Sequence, residues 1–368
     1  MRILYFTRDY TPHDHRFLSS LARTENEVFS LRLERRNMQI EDRPLPPEVK
    51  QIIWRGGRAP FRWQDTAGLY MDLKRVIGLV KPDLIHAGPI PTVSFVAALS
   101  GFHPLVSMSW GSDLLRDIDL SRAQKNRAVY ALKHTRVLLG DCQAVKERAV
   151  SMGFPAERIK LFPWGVDLEQ FCPGDDDGFR KRRGWQDDFV LLSTRSWEAL
   201  YGVDVVVKAF ARAHEQAPQL RLIMIGNGSQ SGAIRKFILE HGLDEDVFWG
   251  GQAKNSALPG YYRTADLYLS ASHSDGTSVS LLEALASGCP VLVSDIPGNK
   301  EWITPGQEGW LFPDGDVEVM AQAILHVVRQ RDKLAENAAA ARRLAEKRAD
   351  WRQNFNVLLD AYQMALEE

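Results

Sequence analysis

Short apolar runs alternate with longer helical patterns along the whole chain, and this alternation constrains the fold more than any other feature. The run Leu222–Ile225, for example, is apolar at every position, which indicates a strand buried on both faces of a sheet. Such strands separated by helices are typical of parallel sheets covered by helices, so we predict an α/β fold. The predicted strands are Ile3–Thr7, Glu27–Leu33, Leu84–Ala87, Pro104–Met108, Val137–Gly140, Val190–Ser193, Arg221–Ile225, Val247–Trp249, Leu267–Ser270 and Val291–Val293.

The chain is long enough for two such domains, with 368 residues of which 45% are hydrophobic. A break is predicted at Phe162–Asp167, which contains Pro and Gly and precedes the acidic stretch Pro173–Gly178. Segments of this composition between two complete α/β patterns are typical of interdomain hinges.

The formal net charge of -1 gives no global positive field for nucleic acid, but it conceals an asymmetry. Residues 1–165 carry 25 Lys and Arg against 17 Asp and Glu, a balance of +8, and residues 166–368 carry 21 against 30, a balance of -9. This difference suggests that the two domains handle different partners. One basic helix of the first half is either a solvated face or a contact with an anionic membrane, and its cations are Arg122, Lys125, Arg127, Lys133 and Arg136.

Cysteine usage and hydropathy predict a cytoplasmic protein with at most peripheral contact at the inner membrane face. Three widely spaced cysteines form neither a disulfide framework nor a zinc pattern. The charge-free stretch Gly88–Ser112 is interrupted by prolines and glycines, so we expect a buried helix and strand there rather than a membrane span. No His, Cys or Asp cluster has the spacing of a metal site, and we expect neither a metal nor a bound cofactor.

The segment Ser270–Pro290 is the most informative for chemistry, because a strand, a loop of small residues and a helix follow one another there. The helix is predicted to begin near Ser278, where Thr277 or Ser278 can cap it and its free N–H groups form an anion site. Asp275 precedes this helix start and Glu283 lies about two turns along it. A bound phosphate would therefore have a carboxylate on either side. The alternative is that Asp275 is a loop residue and Glu283 a surface residue.

This segment resembles the Glu-x7-Glu motif of retaining GT-B glycosyltransferases, specifically glycosyltransferase family 4, with Asp275 at the first acidic position. The resemblance extends over nearly all of the second half. It includes the interdomain segment Ile159–Phe171, the Gly226-Asn227-Gly228 turn, and the segments Ala265–Ser270 and Glu301–Phe312.

The resemblance implies two Rossmann-like domains that face each other across a cleft, with a C-terminal helix that crosses back to the first domain. On this basis the acceptor-binding domain comprises residues 1–165 and 352–368, and the nucleotide-sugar-binding domain comprises residues 166–351. The resemblance also implies that Glu283 binds the donor ribose, that Asp275 contacts the transferred sugar, and that backbone N–H groups near Ser278 and Val279 hold the diphosphate. Gly226 and Gly228 are implied in donor binding as well.

The loop after strand Val190–Ser193 carries an Arg and a Lys for the donor phosphates in the family. Arg195 matches the Arg, whereas Tyr201 occupies the Lys position and supplies no charge. A salt bridge for Arg195 and a core position for Tyr201 are the structural alternatives.

The first half resembles the family less. Its loop Arg8–Phe17 follows the first strand, and Arg16 or His13 could touch phosphate or acceptor there, although a local turn network explains them equally well. Asp113 matches the end of a first-domain family segment and is a candidate for acceptor contact or proton removal. Capping of a helix at Leu114–Asp117 is the competing interpretation.

The sequence therefore predicts a retaining, metal-independent glycosyltransferase, with Asp275, Asp113 and Arg195 as catalytic candidates. Its expected partners are a nucleotide-diphosphate sugar and a glycan or lipid-linked acceptor. The alternatives are another GT-B enzyme (a sugar-nucleotide epimerase or a phosphorylase) and a non-catalytic nucleotide-sugar-binding protein. A Rossmann oxidoreductase is disfavoured because the acidic residues at the required distance, Asp244 and Glu245, precede the next strand instead of ending it.

Overall fold

A computed structural model describes residues 1–35 and 41–367 and divides the chain into two compact units. The first unit comprises Met1–Phe162 together with the chain from Phe355 onward, and the second comprises Pro163–Asn354. The last residues of the chain thus pack with the first unit, as a crossing C-terminal helix requires. The binding roles predicted for the two domains stay predictions.

The first unit contains a seven-stranded parallel sheet in the order β3-β2-β1-β4-β5-β6-β7. Its strands are β1 (Arg2–Thr7), β2 (Glu27–Arg32), β3 (Lys50–Gln51), β4 (Leu84–Gly88), β5 (Leu105–Met108), β6 (Val137–Gly140) and β7 (Ile159–Leu161). Its helices are α1 (Pro12–Leu21), α2 (Thr66–Val80), α3 (Phe95–Leu99), α4 (Ser112–Leu115), α5 (Arg122–Lys133) and α6 (Gln143–Ser151), and one π-helical turn spans Ile90–Ser94.

The second unit contains a six-stranded parallel sheet in the order β10-β9-β8-β11-β12-β13. Its strands are β8 (Phe189–Ser193), β9 (Leu220–Ile225), β10 (Val247–Gly251), β11 (Leu267–Ser270), β12 (Val291–Ser294) and β13 (Gly309–Phe312). The helices of this part of the chain are α7 (Phe179–Arg183), α8 (Val203–His214), α9 (Ser231–Glu240), α10 (Leu258–Thr264), α11 (Val279–Ala286), α12 (Pro297–Lys300), α13 (Val317–Arg329), α14 (Leu334–Arg348) and α15 (Trp351–Leu366), the last of which continues into the first unit.

The predicted α/β class is confirmed, and each of the ten predicted strands is present within two residues of its expected bounds. The fully apolar runs are buried on both faces, as β9 illustrates, with Leu222, Ile223 and Met224 each fully buried. Helices such as α8 and α13 pack on one face of the second sheet, whereas α11 and α14 contribute to the core on the other face.

In each sheet the chain first adds strands on one side of the unit's first strand and then continues on the other side of that strand. In the first sheet β1 lies between β2 and β4, and in the second sheet β8 lies between β9 and β11, all in parallel. Loops that leave two such neighbouring strands in opposite directions open a crevice at their carboxyl ends, which is where open α/β sheets bind ligands. The second sheet therefore directs attention to the segments that follow β8 and β11.

The described residues contain no helix that is both long and apolar enough to cross a lipid bilayer.

Candidate functional site

The loops after β8 and β11 bring Arg195 and Asp275 together at the switch point of the second sheet. Arg195 donates from Nη2 to Asp275 Oδ2 over 2.7 Å, and the two side chains are only 11% and 17% exposed. Its other terminal nitrogen, Nη1, donates to Ser278 Oγ at 2.6 Å and to Ser280 Oγ at 3.0 Å. The salt bridge considered as an alternative for Arg195 thus joins two residues that were both predicted for the site.

The electrostatic setting keeps Arg195 charged. Burial alone would lower the pKa of Arg195, but the Asp275 carboxylate together with Tyr201 and Tyr268 raises this pKa above its usual value. Tyr201, at the end of the 3₁₀ turn Ala199–Tyr201, places its ring 4.2 Å from the Arg195 guanidinium carbon, a cation–π contact. Tyr201 thus orients a cation instead of adding one. The Nε–H of Arg195 is buried and has no acceptor among the described residues.

The helix predicted near Ser278 is α11, and Ser278 is its N-cap residue. The expected side-chain cap by Thr277 or Ser278 is wrong. Ser278 accepts from Arg195, and the Thr277 hydroxyl accepts from the Trp302 indole over 3.4 Å. The first turn of α11 has no side-chain cap, so its N–H groups, including that of Val279, lie at the positive end of a helix beside a guanidinium. This combination suits a phosphate.

Glu283 is buried on α11, with 6% of its surface exposed, so the interpretation as a surface residue is wrong. Its Oε2 accepts a 2.9 Å hydrogen bond from the Tyr262 hydroxyl, which also lies 3.0 Å from Thr194 Oγ1. Burial raises the pKa of Tyr262 well above its usual value, so this hydroxyl remains a donor. The Tyr262 hydroxyl thus helps to hold the buried Glu283 carboxylate in place on α11.

Gly226 and Gly228 lie directly against the segment that carries Arg195. A Cβ on Gly226, whose φ is +129°, would lie 2.6 Å from the Arg195 carbonyl oxygen, and a Cβ on Gly228 would lie 2.5 Å from that of Trp197. Both glycines are therefore required for the close approach of two loops. Contact with a donor stays a prediction for them.

Asp113 belongs to the first unit, where it lies inside α4. The predicted helix cap at Leu114–Asp117 is therefore wrong. Instead, Asp113 Oδ2 accepts from Ile90 N at 2.8 Å, at the start of the π-helical turn, and Oδ1 accepts from the Ser109 hydroxyl at 2.6 Å and from Trp110 N at 2.9 Å. Burial raises the pKa of Asp113 to about 7 in spite of these bonds.

The loop after β1 forms a local network. His13 packs edge-on against Trp110, with ring centroids 5.4 Å apart, and Thr11 and Asp14 form a capping box at the start of α1. Thr11 and Asp14 thus form the local turn network, and contact of Arg16 or His13 with phosphate or acceptor stays a prediction.

Sequence reasoning missed Ser280, Tyr262 and Thr194. Ser280 follows Ser278 by two positions in the first helical turn, so the sequence could have indicated a second hydroxyl at the predicted anion site. Tyr262 lies on α10 and Thr194 directly follows β8, and no motif marks either residue. Among the described residues, no group of three or more His, Cys, Asp or Glu side chains could hold a metal ion.

Two family models match the chain. The model of glycosyl transferases group 1 matches residues 175–345, and the model named glycosyl transferase 4-like matches residues 2–141.

Similar curated proteins include a UDP-N-acetylglucosamine–peptide N-acetylglucosaminyltransferase GtfA subunit of Streptococcus pneumoniae, 34% identical over 36% of this chain and 26% of that protein. A D-inositol 3-phosphate glycosyltransferase of Stackebrandtia nassauensis is 30% identical over 57% of this chain and 50% of that protein. The chain thus spans between a quarter and a half of the length of these relatives.

Among solved structures, Anabaena Alr3699/HepE in complex with UDP-glucose superposes with a TM-score of 0.81 at 19% identity, covering 99% of each chain. At 19% identity, this superposition shows that the two chains share a fold.

Proposed function

The chain belongs to the GT-B glycosyltransferases that resemble family 4, and we propose that it transfers a sugar, with retention of configuration and without a metal ion, from a nucleotide-diphosphate sugar to an acceptor hydroxyl. The single observation that carries the proposal is the cluster at the second switch point. There a buried guanidinium donates to two serine hydroxyls in the first turn of a helix whose start has no side-chain cap.

This cluster suits the charge that develops in such a transfer. The bond between the anomeric carbon and the diphosphate breaks with its electron pair going to the phosphate oxygen, while the sugar passes through a state that resembles an oxocarbenium ion. A catalyst must stabilise the departing phosphate more than the bound donor. Arg195 and the first turn of α11 supply fixed positive charge for this purpose, which is the role that a metal ion has in other transferases.

The remaining donor contacts follow from the same arrangement. We assign the donor ribose to Glu283, the diphosphate to the N–H groups near Ser278 and Val279, and the transferred sugar to Asp275. Asp275 must exchange part of its contact with Arg195 when the diphosphate arrives, because both anions address the same guanidinium. Tyr201 keeps the guanidinium plane in position during that exchange.

For the acceptor we propose a hydroxyl on a glycan or a lipid-linked precursor that carries negative charge. The excess of +8 in residues 1–165 supports an acidic acceptor. A phosphorylated acceptor is also named for the relative from Stackebrandtia nassauensis. We propose Asp113 for the proton of the acceptor hydroxyl, since a carboxyl whose pKa is about 7 can accept and release protons near neutral pH.

Two experiments test the function. Thermal shift against nucleotide diphosphates and their sugars, with UDP-glucose as the first donor, should give one class of stabilising ligand, because a ligand at one hundred times its Kd stabilises the folded state by about 2.7 kcal/mol. Proton NMR of the product should then show the anomeric configuration of the donor. Stabilisation by no nucleotide diphosphate, or an inverted product, would contradict the proposal.

One observation favours a second candidate, a nucleotide-sugar-binding protein without transferase activity. Asp275 already neutralises Arg195, and Tyr201 replaces the second cation that the family places on the phosphates. Such a protein would bind the donor but would release no nucleoside diphosphate in the presence of any acceptor. Measuring nucleotide release beside binding separates the two candidates.

A further inference from the structure

The first sheet has a crevice of its own, at the carboxyl ends of the neighbouring strands β1 and β4. Arg8 directly follows β1 at this end. Asp113, the residue suggested for the acceptor proton, accepts from Ile90 N at 2.8 Å, just beyond β4. Arg8 and Asp113 thus lie at the ends of two adjacent strands within one unit.

The loops after β1 and β5 meet across the end of β4. His13 of the first loop packs against Trp110 of the second, with ring centroids 5.4 Å apart. β4 ends at Gly88, where a Cβ would lie only 2.8 Å from Trp110 Nε1, so a side chain at this position would push the indole away. The segment that follows Trp110 is therefore brought toward the loop that carries Arg8.

A buried carboxylate fixes the Arg8 guanidinium through one nitrogen. Arg8 Nε donates to Glu34 Oε1 over 2.7 Å, and the Glu34 side chain is 4% exposed whereas that of Arg8 is 42% exposed. The other oxygen of Glu34 accepts from the backbone N–H of Phe61 at 2.9 Å, so Glu34 is itself held in place. The two terminal nitrogens of Arg8 have no hydrogen-bond acceptor among the residues that the structure describes. An edge of the guanidinium with parallel N–H donors is thus left for an external acceptor.

Arg116 adds a second cation to the same crevice. It is exposed, and its side chain forms no hydrogen bond or close ion pair within the described part of the chain. Burial raises the pKa of Asp117, while the charges of Arg116 and Arg8 both lower it, so the two guanidinium groups lie near one carboxyl. Burial chiefly, and the charge of Asp117 in addition, raise the pKa of Asp113. These four residues therefore form one cluster.

This cluster favours an anion over a neutral sugar. Both carboxyls, Asp113 and Asp117, have raised pKa values and so resist ionisation. Both guanidinium groups stay charged and keep N–H donors that no described residue uses. A phosphate monoester carries up to two negative charges on its oxygens, and it can therefore match two cations at once and accept both donors of a guanidinium edge.

We propose that Arg8 and Arg116 bind a phosphate group of the acceptor and so bring the acceptor hydroxyl to Asp113. Arg8 supplies the oriented pair of donors, because Glu34 fixes its guanidinium from behind. Arg116 supplies the second charge from the exposed side of the crevice. The inference rests on the part of the proposed function that gives this unit an acidic acceptor. It makes Arg8 and Arg116 the residues that select phosphorylated acceptors.

The test is a phosphorus NMR titration of inorganic phosphate into the whole protein saturated with UDP, which fills the donor site of the proposed function and leaves only other anion sites. The main variant is Arg8→Lys, which keeps a charge for Glu34 but loses the edge with two donors. Its matched control is Arg2→Lys at the other end of β1, where Arg2 Nε pairs with Glu27 over 3.0 Å and the side chain is 38% exposed.

A second variant, Arg116→Gln, removes a charge without removing a contact within the described chain, and Arg23→Gln, at an exposed position just after α1, is its control. We expect one phosphate bound beside UDP, about tenfold more weakly in Arg8→Lys and in Arg116→Gln, with both controls like the parent. Glycerol phosphate should displace the ion and glycerol should not, because the acceptor presents its phosphate as an ester. UDP affinity and thermal unfolding should be the same in every variant, which separates loss of an anion contact from loss of the fold.

Several outcomes would overturn the inference: no phosphate bound beside UDP, equal behaviour of the crevice variants and their controls, or displacement by glycerol as well as by glycerol phosphate. Displacement by neither would show a site for the free ion alone, and weaker UDP binding in Arg8→Lys would assign Arg8 to the donor diphosphate; both results also contradict the inference. A parent protein that does not bind UDP would contradict the proposed function instead. The same titration without UDP, compared between Arg8→Lys and Arg2→Lys, would then still decide the inference.

Discussion

At the scale of single residues, the proposed function depends on one buried ion pair and the groups that hold it. The Arg195 guanidinium donates hydrogen bonds to a carboxylate and two hydroxyls and also contacts an aromatic ring. Each contact restricts the guanidinium to one orientation before any ligand arrives. Preorganised charge of this kind is the form in which a protein stabilises a leaving phosphate most effectively.

Arg195→Gln should lower the free energy of unfolding by about 3–5 kcal/mol at neutral pH, because it leaves the Asp275 carboxylate buried without its cation. Burial raises the pKa of Asp275 and the Arg195 charge lowers it, so the variant's carboxyl will have a pKa above that of the unfolded chain. A group with a raised folded pKa loses stability as pH rises through that pKa. Urea unfolding should therefore show the deficit at pH 7 and a smaller one near pH 4.

The matched control is the exposed pair of Lys208 and Asp204, where Lys208→Gln should cost well under 1 kcal/mol. An Arg195→Gln deficit that does not shrink on acidification would contradict the role given to Asp275.

At the scale of elements, the site is made by two loops whose contact requires glycine. Gly226 begins the loop after β9 and touches the loop after β8 that carries Arg195. The sequence marks this position only as part of a Gly-x-Gly turn. In the structure, the missing side chain of Gly226 lets the two loops approach each other, and its contact with a donor stays a prediction.

Gly226→Ala should therefore lower the free energy of unfolding by about 1–3 kcal/mol and weaken UDP binding, because the new methyl group meets the Arg195 carbonyl at a positive φ. Gly232→Ala is the control. It lies in α9 with open space around it and should be neutral or stabilising by up to about 1 kcal/mol. Thermal unfolding with and without UDP measures both effects. Equal behaviour of the two variants would show that the loop contact is unimportant.

The sequence predicts central strands better than edge strands, for a physical reason. The ten predicted strands are present, and the three missed ones, β3, β7 and β13, are all at sheet edges. An edge strand is short and only partly covered, so it lacks the continuous apolar run that marks a central strand. Lys50 and Gln51 of β3, for example, are both exposed.

The same distinction applies to the site. Sequence motifs identify Arg195, Asp275 and Glu283 as site residues. The contacts among them depend on how two loops far apart in sequence are brought together. Nothing in the sequence near Tyr262 indicates that its hydroxyl holds Glu283. Pairings of this kind become visible only when the sheet order is known.

At the scale of the whole molecule, residues 1–165 carry an excess of positive charge and residues 166–368 an excess of negative charge. The diphosphate site that we propose, at Arg195, lies in the acidic half, and the acidic acceptor that we propose would bind the basic half. The positive charge for the proposed chemistry is thus confined to one site, whereas the positive charge that would attract an acidic partner is spread over residues 1–165.

Sugar transfer should survive excess chelator, because Arg195 and the start of α11 supply the positive charge at the leaving phosphate. The measurement is nucleoside diphosphate release with and without EDTA, followed by addition of Mg²⁺ or Mn²⁺. Less than about a twofold change is expected. Loss of activity on chelation with recovery on adding either ion would contradict the metal-independent mechanism.

The most direct test of the central claim is calorimetric titration of nucleoside diphosphates and their sugars, beginning with UDP, into the parent protein and into the Glu283→Gln variant. Gln keeps an oxygen for the Tyr262 hydroxyl, so the fold should persist, but it loses the charged acceptor that we assign to the ribose. We predict one saturable site in the parent and a loss of about 1–3 kcal/mol in the variant. Glu336→Gln, at an exposed position on α14, should bind like the parent. Equal affinity of the parent and the Glu283→Gln variant, or no binding of any nucleotide diphosphate to the parent, would contradict the account.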